Sequence, residues 1–337
     1  MMTLPPHVQL IQMSIGAWIS RLVAVAAELE IADHLADGPK SAAELAGPTK
    51  TDPRSLHRFL RTLASQGILS HGAGEKFSLT PLGEALRRGA PGSARSTVLA
   101  MAGPWMWKAM GEFQHSVETG NTAMQKVFGM GIFDYLGQHP ELAAQFSEAM
   151  NGVHGAEPPA VAAAYDFSSA GVIVDVGGAI GNMLVNILKR HPQPKAVLYD
   201  RPVVVTEAPA FLAANGVADR VTIQQGNFFE SVPAGGDLYI LSHIIHDWTE
   251  AQCLTILANC RKAMRPGAKL LIVEFVLPED GVPHFGKLAD MIMLAIPGGE
   301  ERTASEYRTL LDKAGFQMTR VVPTASDVSI VEAEPRY

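Results

Sequence analysis

The alternation of short apolar runs with helix-like segments in the second half of the chain most constrains its fold. From residue 170 onward, runs rich in Val, Ile and Leu are separated by segments with helical spacing near 180–190, 202–214, 249–264 and 303–314. Such runs are apolar on both faces, which is typical of parallel strands with helices covering each side of the sheet. We therefore predict an α/β fold with strands at Val172–Val176, Ala196–Asp200, Val221–Gln224, Leu238–Ser242 and Lys269–Val276, followed by a pair near Gln317–Val322 and Val328–Glu332.

The first hundred residues predict helices and one small hairpin. Ser41 and Glu44 have the spacing of a capping box, and Asp52 before Pro53 is a typical helix start. A hairpin is predicted from Ile68–Ser70 and Lys76–Leu79. Helix, helix and hairpin in this order indicate a winged-helix-like domain. The predicted organisation is a winged-helix-like domain at 1–105, connecting helices that contribute to a substrate pocket at 106–160, and an α/β domain at 161–337.

A winged helix often binds DNA, and the charge of this chain argues against that use. The second helix carries a mild basic stripe, formed by Arg54, His57, Arg58 and Arg61. The whole chain has 27 Lys and Arg against 34 Asp and Glu, a net charge of −7. An acidic protein repels a polyphosphate. We therefore predict no nucleic-acid partner and a structural, dimer-forming use of this domain, while a winged-helix regulator stays the less favoured alternative.

The chain carries no predicted membrane or export signal. We find no uncharged apolar run of eighteen residues, and no Lys or Arg precedes Arg21, so the basic region of a secretory signal is missing. The two cysteines, Cys253 and Cys260, are seven residues apart and form neither a disulfide framework nor a metal clip. These features predict a cytoplasmic protein without a membrane partner.

A glycine-rich turn after the first predicted strand indicates a nucleoside site. The segment DVGGAIGNM begins with Asp175, and its Gly177, Gly178 and Gly181 allow a sharp turn and a close approach of the backbone to a ligand. Asp200 ends the next strand, where a carboxylate can bind two ribose hydroxyls. The alternative for Asp200 is a helix cap before Pro202.

The third predicted strand ends in QGNFFE, which leaves two interpretations open. Asn227 is placed to hydrogen-bond an adenine edge, and Phe228 to lie against the adenine face. A turn asparagine and a core phenylalanine explain the same two residues equally well.

The segment DLYILSHIIHDWTEAQC carries the strongest catalytic candidate. His246 follows the carboxyl end of the fourth strand, where parallel-sheet enzymes place their chemistry, and a neutral imidazole accepts a proton. His243 and His246 are three residues apart beside Asp247, but no third ligand follows at metal spacing, so no metal is predicted. His243 is interpreted as an ordinary strand-end histidine.

Two carboxylates are candidates to orient this base. Glu274 lies inside the apolar run LLIVEFVLP, where burial is costly without a partner, and Glu300 and Glu301 follow a Gly-Gly turn. A carboxylate on the imidazole N–H fixes the tautomer and stabilises the imidazolium. The alternative for Glu274 is a salt bridge within the core.

Taken together, these motifs resemble one enzyme family. DVGGAIG, LYDRP, QGNFFE, HDW, VEFVLP and GGEERT, together with FDYLGQHPELAAQFSEAM at 133–150, are similar in order and spacing to the small-molecule O-methyltransferases that use S-adenosylmethionine, among them plant caffeate and flavonoid enzymes and bacterial tailoring enzymes. The resemblance covers nearly the whole chain. It implies a Rossmann-like class I methyltransferase sheet, mostly parallel with one antiparallel strand, a homodimer formed through the N-terminal domain, and no metal.

The resemblance also implies residue roles. His246 becomes the general base flanked by Glu274 and Glu301, and the cofactor-binding residues become Gly177, Gly178, Gly181, Asp200, Asn227, Phe228 and Ser242. The family often has Asp in place of Asn227 and Lys or Arg in place of Ser242. Ala179 replaces a third consecutive glycine, and Ile296 replaces the asparagine that plant members present to phenolic oxygens.

The predicted acceptor is a neutral, aromatic, hydroxylated molecule larger than one small ring. The apolar helix KLADMIMLAIP and a tryptophan-rich segment supply few cationic side chains, and methionine adapts to flat rings. The substrate-binding candidates are Trp107, Phe133, Met150, Asp247, Asp290 and Met293. A hydroxylase or decarboxylase that uses the same cofactor stays open as an alternative.

Overall fold

The structure, a computed structural model, describes residues 4–336. These residues form two compact units. The first comprises the chain up to Gly111 together with Asp134–Gly155, and the second comprises Glu112–Phe133 together with the chain from Ala156 onward. The segment 106–160, predicted as connecting helices, is therefore divided between the units, and the domain limits at 105 and 160 stay predictions.

The elements follow the chain in this order. The helices are α1 (Pro6–Glu28), α2 (Ile31–His34), α3 (Ala42–Thr49), α4 (Pro53–Ser65), α5 (Pro81–Glu84), α6 (Arg95–Ala102), α7 (Pro104–Met110), α8 (Phe113–Thr119), α9 (Ala123–Phe128), α10 (Ile132–Gln138), α11 (Pro140–Val153), α12 (Glu157–Ala164), α13 (Asn182–Arg190), α14 (Ala208–Ala214), α15 (Glu250–Ala263), α16 (Phe285–Ala295) and α17 (Ala304–Lys313). The strands are β1 (Lys40–Ser41), β2 (Leu69–His71), β3 (Lys76–Leu79), β4 (Val172–Val176), β5 (Lys195–Asp200), β6 (Val221–Gln225), β7 (Leu238–Ser242), β8 (Lys269–Glu274), β9 (Val276–Leu277), β10 (Arg302–Thr303), β11 (Phe316–Pro323) and β12 (Ser329–Pro335).

The first unit contains the predicted helix, helix and hairpin order. Ser41 accepts the backbone N–H of Glu44 while the Glu44 carboxylate accepts that of Ser41, so the capping box starts α3. Asp52 accepts the N–H of Ser55 at 2.8 Å and starts α4. β1, β3 and β2 form a small antiparallel sheet. Buried side chains join these elements into one core, including Leu45, Leu60, Leu63 and Phe77.

Helix α1 is the exception to burial in the first unit. Its large apolar side chains are exposed along most of its length: Leu10, Ile11, Met13, Ile15, Trp18 and Ile19. Among the described residues, it is the one helix whose length and apolar composition would allow it to cross a membrane. Only its last turns are buried, at Ala24, Ala26 and Ala27.

The second unit is built on a seven-stranded sheet in the order β11-β12-β8-β7-β4-β5-β6. Its strands are parallel except β12, which runs antiparallel to both β8 and β11. Helices cover both faces, and two buried clusters pack against them, one around Ile173 and Leu184 and the other around Tyr239 and Leu257. The predicted sheet, mostly parallel with one antiparallel strand, is confirmed.

Two predicted elements are interrupted. The predicted strand 269–276 ends at Glu274, and β9 then leaves the sheet to pair with β10. The predicted helix 202–214 is a 3₁₀ turn at Val204–Glu207 followed by α14, because Pro209 has no N–H to continue the hydrogen-bond ladder. The first interruption brings Glu301, which precedes β10, close to the end of β8.

Candidate active site

His246 lies in a 3₁₀ turn at Ile245–Asp247, just after the carboxyl end of β7. Its side chain is almost completely buried. Nδ1 is 2.8 Å from Oε1 of Glu301, and Nε2 is 3.7 Å from Oδ1 of Asp247. If Nδ1–H donates to Glu301, the neutral ring keeps a lone pair on Nε2. The predicted partnership of His246 with Glu301 is therefore present in the structure.

Glu274 supports this turn through the backbone. Its Oε1 accepts the N–H groups of Ile244, Ile245 and His246 at 3.0, 2.7 and 3.2 Å. Its Oε2 accepts the hydroxyl of Tyr307 at 2.5 Å. The expectation that Glu274 flanks the imidazole of His246 therefore needs correction, because the carboxylate contacts the main chain of the turn. The alternative of a core salt bridge is not what the structure shows either.

The loop before β10 brings Glu301 to the imidazole. Gly299 crosses the turn so closely that a β-carbon there would collide with the main-chain oxygen of His246. The N–H of Glu300 donates to that same oxygen at 2.9 Å. The N–H of Glu301 donates to Oδ1 of Asp290 at 2.8 Å. Asp290, predicted to orient a substrate oxygen, thus has an observed contact that positions Glu301, and its substrate role stays a prediction.

The charges around His246 favour its protonated form. Burial lowers the pKa of His246, but the carboxylates of Asp247, Glu301 and Glu274 outweigh burial and raise this pKa to about 10. Burial raises the pKa of Glu301 above its usual range, while the hydrogen bond from His246 opposes that change. His246 is therefore a stronger base than an ordinary histidine and holds its proton more tightly at neutral pH.

The glycine turn after β4 adjoins the end of β5. Gly177 has a φ of +76°, and a β-carbon on it would collide with the side chain of Ile244. Asp200 accepts the N–H of Ala179 at 3.0 Å and that of Arg201 at 2.7 Å. The two predicted parts of the nucleoside site are therefore adjacent. Ala179 has a φ of +50°, a left-handed conformation that a third glycine would adopt with less strain.

Asp175 is a buried acid inside this edge of the sheet. Neither of its carboxylate oxygens has a hydrogen-bond partner within residues 4–336. Burial, together with the charge of Asp200, raises the pKa of Asp175 to about 7. A β-carbon on Gly178 would collide with this carboxylate, so the glycine leaves room beside it. A buried acid without a partner at a glycine cradle suits a cationic ligand.

The other predicted cofactor residues have the following positions. Oδ1 of Asn227 accepts the N–H of Phe229 at 3.1 Å, which matches the turn-asparagine alternative. The ring of Phe228 is 6.0 Å from that of Trp248 in an edge-on arrangement. Ser242 is partly buried at the end of β7. Their contacts with a cofactor stay predictions. Trp248 was not singled out from the sequence, although it immediately follows Asp247.

The predicted substrate residues fall in both units. Phe133, in the second unit, stacks on Trp248 with ring centroids 5.2 Å apart. Met293 is partly buried on α16 in the same unit. Trp107 is largely exposed on α7, and Met150 is partly buried on α11, both in the first unit. The substrate roles of these residues stay predictions.

The sequence did not predict one pair of interacting residues beside His246. Nε2 of His243 lies 2.6 Å from Oε2 of Glu157, the first residue of α12. The interpretation of His243 as an ordinary strand-end histidine therefore needs correction. The sequence carried a weak signal in the charged residue before Pro158-Pro159, but 86 residues separate the partners.

The fold and this edge define a class of protein. A mostly parallel sheet has a glycine turn and a carboxylate at adjoining strand ends, with a buried imidazole–carboxylate pair at the next strand end. This arrangement is typical of an α/β enzyme that binds a nucleoside cofactor at the carboxyl ends of its strands.

Comparison with known proteins identifies the family. Residues 109–317 match the O-methyltransferase domain, and residues 11–89 match the O-methyltransferase dimerisation domain. The phenazine O-methyltransferase PhzM of Lysobacter antibioticus is 45% identical over 97% of this chain and 95% of that protein. The crystal structure of LaPhzM has a TM-score of 0.92 at 44% identity, covering 98% of this chain and 100% of that one. NcsB1, solved with S-adenosylmethionine and a naphthoic acid, has a TM-score of 0.84 at 31% identity, covering 94% and 96%.

The chain belongs to the S-adenosylmethionine-dependent O-methyltransferases, which methylate aromatic hydroxyls. The residues present fit the cofactor of this family. S-Adenosylmethionine carries a sulfonium and an ammonium group, and the unpaired buried acid Asp175 lies beside the glycine cradle. Asp200, at the neighbouring strand end, is the carboxylate that would bind ribose hydroxyls, and this role stays a prediction.

Proposed function

We propose that His246 is the general base of this methyl transfer and that the acceptor is a multi-ring phenol. The observation that carries the proposal is the 2.8 Å contact of the buried His246 Nδ1 with Glu301, at the strand end beside the glycine turn. In the neutral ring this contact leaves Nε2 as the proton acceptor, so the base acts through the fraction of His246 that is deprotonated. Asp247 lies on the same side of the ring, 3.7 Å from Nε2.

The protein has little covalent chemistry to perform in this reaction. The bound cofactor supplies a methyl group on a positively charged sulfur, already activated for in-line displacement. With the cofactor bound, the acceptor oxygen would take this methyl group in place of its proton, and Nε2 of His246 would accept that proton. The Glu301 carboxylate stabilises the imidazolium that results. Proton removal of this kind contributes about 10²- to 10⁴-fold in rate.

The residues of α16 support an aromatic acceptor with several rings. Met291, Ile292 and Met293 are partly buried on this helix, and flexible methionine side chains adapt to flat ring systems. The name of the curated relative reported above refers to a phenazine, a fused three-ring molecule. We propose a neutral, hydroxylated, fused-ring acceptor for this chain and infer that a small carboxylated phenol is a poorer one.

We further propose a homodimer formed through the first unit, acting in the cytoplasm without a nucleic-acid or membrane partner. The dimerisation-domain match begins at residue 11, within α1, whose exposed apolar side chains need a cover. A second copy of the chain supplies an apolar surface of the same kind.

The test is an acceptor panel run with wild-type protein and with His246→Ala. We expect wild type to add one methyl group to a hydroxyl, detected by mass spectrometry, with kcat/KM falling from a fused-ring phenol to a simple carboxylated phenol. We expect the variant to lose about 100-fold or more in kcat while its calorimetric Kd for S-adenosylmethionine stays close to wild type. A variant with near-normal turnover would show that His246 is not the base. The reverse order of acceptors, or a hydroxylated product, would contradict the proposed acceptor or reaction.

A further inference from the structure

Next to the proposed base, the structure contains a second imidazole that the mechanism above does not use. The His243 and His246 ring centroids are 5.0 Å apart, and the rings are tilted by 51°. His243 is held on one side by Glu157 at 2.6 Å, and His246 is held on the other by Glu301 at 2.8 Å. Two neighbouring imidazoles are thus each hydrogen-bonded to a different glutamate.

The burial and the backbone conformation of the His243–Glu157 pair indicate a specific role for it. The side chains of His243 and Glu157 are 14% and 8% exposed, so both are withdrawn from water. A buried carboxylate requires a partner, and Glu157 lies at the start of α12, where the helix dipole favours a negative charge. His243 also has a φ of +53°, which a residue with a β-carbon rarely adopts. Unusual backbone conformations of this kind are concentrated at functional sites.

The same turn fixes both histidines. The N–H of His243 donates to the carbonyl of Val273 at 3.1 Å, and Glu274 accepts the next three N–H groups. The backbone of the turn is therefore firmly held, and the orientation of the His246 ring depends on the side chains around it, Glu301 and His243 among them. The ring of His243 lies against that ring and in turn packs edge-on to Phe275, with centroids 6.1 Å apart.

We propose that His243, held by Glu157, is a positioning residue for methyl transfer: its ring keeps the His246 imidazole in the orientation in which Nδ1 meets Glu301 and Nε2 faces the acceptor. The proposal rests on the proposed function, because it assumes that His246 is the base. Glu157 contributes by fixing the ring of His243 through the 2.6 Å contact.

The main test is His243→Asn, with Glu157→Gln as the conservative partner variant. Asparagine tolerates a positive φ, so the backbone is preserved, while the ring and its Nε2 contact with Glu157 are lost. We expect kcat to fall about 10- to 100-fold, because a misplaced base lowers the rate without weakening binding. The acceptor KM and the Kd for S-adenosylmethionine should change less than about threefold. Glu157→Gln, which keeps the shape and an accepting oxygen, should lose less activity than His243→Asn.

A spectroscopic readout separates positioning from a general structural role. In protein labelled with ¹⁵N-histidine, the hydrogen-bonded Nδ1–H of His246 should give a downfield proton signal that is absent in His246→Ala. We expect His243→Asn to shift or broaden this signal, and Glu157→Gln to do so less. The matched control is His191→Asn, because His191 is a hydrogen-bonded histidine of the same unit outside the site. This control should leave kcat and the signal unchanged.

The outcomes distinguish the two proposals. Wild-type kcat in His243→Asn, an unmoved His246 signal, or an equal loss in His191→Asn would each overturn the positioning role. If His243→Asn does not fold, Glu157→Ala replaces it, with the same expected losses and the same criteria. Failure of the proposed function has a different signature: His246→Ala would keep its turnover, whereas the His246 signal would still move when His243 is replaced.

Discussion

The pKa of His246 depends more on its neighbours than on its burial. Burial lowers the pKa of this imidazole, but Asp247, followed by Glu301 and Glu274, raises it to about 10. The base must be neutral to accept a proton, so its working fraction should increase as the pH rises from neutral toward that value. Asp247→Asn removes the leading raising charge and should lower this pKa.

We therefore predict that the single-turnover rate of wild type rises with pH above neutral. In Asp247→Asn the acid limb of the profile should move to lower pH. The measurement is a rapid-quench pH series with saturating cofactor and acceptor. Superimposable acid limbs would show that Asp247 does not set the protonation of the base.

The buried carboxyl group of Asp175 should destabilise the folded protein when it ionises. Its folded pKa of about 7 lies above the unfolded value of 3.8, so the native state binds more protons between these values. The free energy of unfolding should therefore fall as the pH rises through this window, by roughly 3 to 4 kcal/mol from this group.

Asp175→Asn should lack this fall, so its stability relative to wild type should improve from pH 4 to pH 8. The same variant should bind S-adenosylmethionine more weakly, because the buried charge beside the glycine cradle is gone. Urea unfolding without ligand at both pH values and calorimetry with cofactor measure the two effects. A relative stability that does not change with pH would contradict the buried, ionising acid.

At the scale of elements, Glu274 couples strand β8 to the turn that carries His246. One oxygen accepts three backbone N–H groups, and the other accepts the Tyr307 hydroxyl. Hydrogen bonds to a charged acceptor are stronger than those to a neutral one. A neutral replacement of the same shape should therefore loosen the turn without opening a cavity.

We predict that Glu274→Gln lowers the free energy of unfolding by roughly 2 kcal/mol and also lowers kcat. Tyr307→Phe is the control, because it removes one hydrogen bond and leaves the three turn contacts in place. It should cost about 1 kcal/mol with a smaller change in kcat. The measurements are denaturant unfolding and steady-state kinetics, and equal kinetic losses in both variants would argue against a specific role for the turn.

For the whole molecule, the exposed apolar face of α1 determines the expected assembly. Met13 and Trp18 are 73% and 68% exposed, which is a large apolar area to leave in water. We predict that the double variant Met13→Glu, Trp18→Glu shifts the protein from dimer to monomer in light scattering coupled to gel filtration. Val117→Glu changes a similarly exposed residue of the second unit and should remain dimeric. A monomeric wild type would contradict the proposal.

Local sequence pattern was sufficient to predict most elements and the sheet edge at which the glycine turn and Asp200 meet. Strands β4 and β7 have the predicted limits, and the caps at Ser41 and Asp52 are present. These features were predictable because the spacing of apolar residues, the position of proline and helix capping all depend on residues only a few positions apart. The adjacency of the glycine turn and Asp200 also followed from sequence, since the carboxyl ends of neighbouring parallel strands meet at one edge.

The sequence by itself predicted the sheet and the base candidate, and it left Glu300 and Glu301 as possible partners, of which the family resemblance implied Glu301. Only the tertiary structure decided what Glu274, Asp290 and Glu157 contact. Glu274 accepts hydrogen bonds from groups at least 28 residues away in the chain, Asp290 from a group 11 residues away, and Glu157 contacts a histidine 86 residues away. A charged residue inside an apolar run indicates from sequence that it must have a hydrogen-bonding or charged partner, but several different groups could serve as that partner. The choice depends on which backbone groups the packed strands, loops and turns bring within about 3 Å, and that geometry exists only after the chain has folded.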